Sequence, residues 1–94
     1  MIRREGNSLL LEGAVTLETV PGLIGAADEL FRQGASVVDF RGVTEVDSAA
    51  VALALEWLRR AHDAGTGLQL ANLPAAMQNL AKLYGVFELL QAAA

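Results

Sequence analysis

Two short apolar runs separated by one helix-length segment constrain this chain more than any other feature. Residues 8–13 (SLLLEG) lie between Gly6-Asn7 and a terminal glycine, too brief for a helix and suited to a strand. Residues 36–40 (SVVDF) are rich in β-branched side chains and read as a buried strand. Between them Val20, Leu23, Ile24, Ala27, Leu30 and Phe31 recur at spacings of three and four, the period of an amphipathic helix. Pro21 suits its first turn, Thr16 or Thr19 can accept from its free N–H groups, and Gln33-Gly34 closes it. Two strands of one sheet joined through a helix run parallel, with a right-handed crossover. Residues 2–5 can pair with residues 8–13 across the Gly6-Asn7 turn, which predicts a β-hairpin at the start.

The same alternation continues. Residues 41–47 (RGVTEVD) read as a loop carrying three charges, and residues 49–64 as a second helix opened at Ser48 and ended by Gly65. GLQLA at 67–71 resembles another strand, Asn72-Leu73-Pro74 a turn, and residues 74–84 a third helix opened by proline and closed by Gly85. Residues 86–90 are too short to classify, and residues 91–94 read as a frayed end. The expectation is an α/β fold: a small central, mostly parallel sheet with an N-terminal hairpin, backed by helices. With 94 residues the chain is expected to form a single domain spanning 1–94.

Composition narrows the function classes. Eleven acidic residues against seven basic ones, with no basic run longer than Arg3-Arg4 or Arg59-Arg60, leave no footprint for a nucleic-acid backbone. There is no cysteine for a thiol nucleophile or thiolate metal site, and one histidine, His62, cannot build a multi-histidine zinc site. Asp39, Glu45 and Asp47 do not have the spacing of a Mg²⁺ receiver, and the sole lysine, Lys82, lies in the last predicted helix. Phosphate-cradle and nucleophile-elbow motifs are missing, so neither a catalytic constellation, a metal site nor a cofactor is expected. No stretch approaches the roughly 18 apolar residues of a membrane span, and the N-terminus lacks a signal-peptide h-region, so a cytoplasmic, soluble protein is predicted.

Hydrophobic residues make up 53% of the chain and charged ones only 19%, a surplus that is hard to hide in so small a domain and points to a protein partner. The second helix locates it. Ala50, Val51, Ala54, Leu55, Leu58, Ala61 and His62 fall on one face, the expected core stripe. Ala49, Ala52 and Leu53, with Trp57 on the border, are left without a core to enter, while Glu56, Arg59, Arg60 and Asp63 suit solvent. Small Ala49 and Ala52 admit a partner backbone, and Leu53 and Trp57 supply anchor area. Ser48, at an N-cap or first-turn position, is either a plain cap or a functional hydroxyl.

The run VVDFRGVTEVDSAAVALAL at 37–55 resembles the signature of STAS domains, in which a strand bearing Asp leads to D-[ST]-x-G at a helix start. LQLANL and LAKLYGVFELL fit the family's next strand and third helix, so the likeness covers nearly the whole chain. Its LAKLY segment, short length and abrupt end are most similar to the MlaB-type small STAS subunit of the Mla phospholipid-transport ABC system. The resemblance implies a STAS fold and a non-enzymatic accessory subunit that binds the transporter's cytoplasmic ATPase, peripheral to an inner-membrane complex. It carries over Asp39, Asp47 and Ser48; joined to the apolar patch read on the second helix, it gives an expected contact on Glu45, Asp47, Ser48, Ala49, Ala52, Leu53, Glu56 and Trp57. Its alternative is an anti-sigma-factor antagonist whose partner kinase phosphorylates Ser48. Many members have Ser or Gly then Gly where this chain has Ala49-Ala50, and the added Cβ atoms weigh against close kinase docking. A homodimer burying the same patch is a third alternative.

Overall fold

A computed structural model describes residues 1–94 as eight elements. In chain order they are β1 (Ile2–Glu5), β2 (Ser8–Val15), α1 (Val20–Arg32), β3 (Val37–Val46), α2 (Ser48–Asp63), β4 (Gln69–Ala71), α3 (Ala75–Leu83) and α4 (Phe87–Ala92). The sheet order is β1-β2-β3-β4: β1 pairs antiparallel with β2, and β2-β3 and β3-β4 are parallel. The α/β class, the hairpin and the mostly parallel sheet are therefore as the sequence predicts.

Strand alternation divides the sheet into two unlike faces. Leu9, Leu11, Val38, Phe40 and Leu70 point to one side and join side chains from all four helices in a single core cluster. The helical layer thus lies on that face. Leu10, Asp39 and the Arg3–Glu12 and Arg41–Glu5 pairs belong to the other face. Asp39 is buried there; its Oδ1 accepts from Arg41 N–H at 2.9 Å and from Asn72 Nδ2 at 3.0 Å, tying the middle of β3 to the turn after β4.

Several predicted boundaries change, and β2 continues past Gly13 to Val15. The segment read as a loop at 41–47 is strand through Val46, because register shifts between Leu10 and Glu12 and between Gly13 and Ala14 break the period-two pattern without ending the pairing. Gly42 sits at the first shift, where a Cβ would stand 2.9 Å from Leu11 O. Helix α4 takes in most of the residues left unclassified, Leu90 fully buried among them, and the first two of the end read as frayed; that end is docked, since Leu70 N–H donates to Ala93 O at 2.8 Å.

Candidate partner-binding face

The carboxyl ends of β2 and β3 lie side by side, with Ala14 registered on Glu45 and Val15 on Val46. Ligand sites of open α/β sheets gather at this edge. Two connections leave it. After β2, Thr19 Oγ1 accepts from Thr16 N–H at 2.9 Å and donates to Ala14 O at 2.9 Å, closing a turn that leaves Leu17 75% exposed. Thr19 precedes α1 as predicted, but its side chain caps nothing in the helix and braces the turn before it.

After β3 the chain passes directly into α2 through Asp47, whose backbone is extended. Asp47 Oδ1 accepts from Ala49 N–H at 2.8 Å and Oδ2 from Leu17 N–H at 2.9 Å. One carboxylate therefore caps the helix and fastens the neighbouring turn to it. The cap is Asp47, and Ser48 is the first helical residue, exposed and with a hydroxyl that makes no hydrogen bond within the chain. Asp47 also places a negative charge at the positive end of the helix dipole, where a phosphate on Ser48 would otherwise be welcomed.

The expected face on α2 is only partly assembled. Ser48, Ala49, Ala52 and Glu45 come together at the helix start, with Ser48, Ala52 and Glu45 exposed and Ala49 half-buried. Leu53 and Trp57, the two predicted anchors, are each 1% exposed and belong to the core. The buried stripe is Ala50, Val51, Leu53, Ala54 and Trp57, while Leu55, Leu58 and Ala61 are half-buried and His62 is exposed. The stripe is rotated because α2 is the middle helix: α1 packs on one flank and α3 and α4 on others, so a wide apolar arc is covered by the chain itself. Glu56, half-buried, is held by its own helix. Arg59 and Arg60 hydrogen-bond its carboxylate at 2.6 Å each, and the Arg59 bond above all brings its pKa down to about 2.

The surface that remains is small at the helix start and acidic at its border. Ser48 and Ala52 lie one turn apart on the same side of α2, flanked by Leu17 and by Glu18 and Glu45, which make no ion pair. Leu17 escaped the sequence reading. Its signal was local: one large apolar residue between two threonines that close a turn upon each other.

The family model described as "Mlab, STAS domain" matches residues 1–91. The chain belongs to this STAS family. Among solved structures, this STAS domain is similar to a crystal structure of Mglu, with a TM-score of 0.60 and 22% identity over 80% of the chain. Mglu in its native form gives a TM-score of 0.57 and 17% identity over 78% of the chain. The chain spans 20% and 22% of the length of those two structures, and the likeness speaks for the fold alone. No curated protein matches the sequence. Family membership supports a STAS-type regulatory or accessory role, and no helix is long and apolar enough to cross a membrane.

Proposed function

We propose that this STAS domain is a non-catalytic accessory subunit of an ABC-type phospholipid transport system, and that it binds the system's cytoplasmic ATPase through the start of α2. The observation that carries this reading is the exposed Ser48–Ala52 edge beside Leu17, held in place by Asp47. Two small residues on adjacent turns let a partner helix or loop approach closely, and Leu17 takes over the anchoring role that Leu53 and Trp57 cannot fill. Glu18 and Glu45 favour a basic rim on the partner, through charge complementarity that acts mainly on association rate.

The test is copurification of the ATPase subunit with the wild-type chain and with Ser48→Arg and Leu17→Asp. Both exposed-site variants are expected to fold normally and to lose the ATPase. Retention of the partner by both would remove this face from the interface.

The second reading, an anti-sigma-factor antagonist switched at Ser48, draws support from the exposed, unbonded Ser48 hydroxyl. Phosphate there would stand beside the Asp47 carboxylate, adding like charge at the contact. Incubation with a candidate anti-sigma kinase and ATP, followed by intact mass, separates the readings: a phosphate lost on Ser48→Ala favours the switch, and an unmodified mass counts against it.

A further inference from the structure

At the far end of α2, on the order of 18 Å along the helix axis from Ser48, a cavity of about 360 Å³ opens between α1, α2 and the loop entering β4. Its origin is steric. Trp57 is the widest side chain of α2 and meets Phe31 of α1 edge to face, with ring centroids 5.7 Å apart. One turn later α2 offers only Ala61 and, at its C-cap, Ala64, which are too small to fill the gap, and Leu68 closes the remaining side. The volume falls within the range of small-molecule sites, and the walls are mainly apolar.

Beside the Asp28 carboxylate, this cavity is lined by donors that keep free N–H groups. Arg60 bridges the helices, with Nη1 on Asp28 at 2.9 Å and Nε on Glu56 at 2.6 Å, and its Nη2 has no partner in the chain. Arg32 gives Nε and Nη2 to Glu29, leaving Nη1 free. The indole N–H of Trp57 is buried and without any acceptor, which is unusual for a tryptophan so deeply packed. Both arginines are paired with carboxylates, Arg32 with Glu29 and Arg60 with Asp28 and Glu56, yet each keeps one terminal guanidinium nitrogen open at the mouth.

From the apolar walls, the open guanidinium N–H groups of Arg32 and Arg60 and the unmet indole donor we infer that this cavity binds a small amphipathic carboxylate, a single aromatic ring or a medium-length acyl chain bearing one acid group. The apolar body occupies the gap over Ala61 and Ala64, and the carboxylate lies at the Arg32 and Arg60 side of the mouth. The inference is independent of the partner reading, since the two sites share no residue.

Trp57 is the only tryptophan, so its fluorescence reports on this cavity directly. Titration of the full chain with sodium octanoate is expected to give a saturable emission change with a midpoint of about 1 mM, and octanol a response at least about tenfold weaker. Ala61→Leu fills the gap and abolishes the octanoate signal while the circular dichroism spectrum is unchanged. Ala64→Leu, at the exposed helix end, serves the same purpose should Ala61→Leu fail to fold. Arg60→Gln weakens octanoate about tenfold without affecting octanol. A non-saturating response up to about 10 mM, undiminished binding by the filled variant, or equal affinity for octanol and octanoate would each overturn the assignment.

Discussion

Asp47 uses both carboxylate oxygens inside the chain, so its part in any contact is indirect: it sets the positions of Ser48 and Leu17. Asp47→Ala removes a helix cap and the tie to the preceding turn, with an expected loss of about 1–2 kcal/mol, read as a lower thermal midpoint. Leu53 and Ala52 are neighbours in sequence with opposite duties. Leu53→Ala empties a fully packed site and is expected to cost about 2–5 kcal/mol, whereas Ala52→Leu changes stability by no more than about 0.5 kcal/mol and obstructs the partner. Chemical denaturation with a parallel ATPase pull-down checks both; stable Leu53→Ala with lost binding would reverse the assignment. The sequence made these two residues look alike because a helical wheel counts apolar positions, whereas burial follows area. Trp57 contributes the largest side chain of the core, and with α1, α3 and α4 flanking α2, Leu53 is buried beside it. His62, placed inside by position alone, faces solvent for the same reason.

The eight elements differ in how plainly they were written. Helices α1, α2 and α3 with the glycines that follow them, and β2 as far as Gly13, were legible because hydrophobic period and stop signals agree. Strand β3 was legible only to Phe40, since two register shifts scatter Arg41, Thr44 and Glu45 to solvent and erase the alternation by which a strand is recognised. Gly42 is the residue that permits the first shift. Gly42→Ala drives a Cβ to 2.9 Å from Leu11 O, a backbone atom that cannot rotate away. A loss of about 1–3 kcal/mol is expected, seen in the thermal midpoint. On α2 the Glu56–Arg59–Arg60 cluster contributes pH dependence of determined sign. Glu56 is lowered from 4.5 to about 2 in the folded chain, so its contribution is complete above pH 4.5 and is lost as pH falls through about 2. Glu56→Gln should therefore lower the thermal midpoint at neutral pH, flatten its acid slope, and converge with the wild-type chain near pH 2. The cluster is solvated, so the difference is small and shrinks in high salt.

Across the whole molecule, the apolar surplus is mostly absorbed by arrangement. All helices share one face of the sheet, so α2 is flanked on several sides and hides an arc that no isolated amphipathic helix could hide. A candidate partner surface is left at the carboxyl edge of the sheet, around Leu17 and Ser48, and a cavity at the other end of α2. The last segment is integral to this packing. Strand β4 is only three residues long and at the sheet's edge; Leu70 N–H is satisfied by Ala93 O, and Leu90 closes the core beneath it. Deleting Phe87–Ala94 leaves that edge N–H without its acceptor and uncovers the core. Burial of one leucine is worth about 1.5–3 kcal/mol, and about 4–8 °C of thermal midpoint accompanies each kcal/mol in a domain of this size. The deletion is thus expected to lower the midpoint by about 6–24 °C and to increase binding of an apolar dye, because β4 and the underside of α2 lose their cover together. Leu90→Ala alone should lower the midpoint without exposing the β4 edge, so its dye response stays near that of the wild-type chain. Equal dye binding by the deletion and by Leu90→Ala would show that the edge is protected by something other than the docked end.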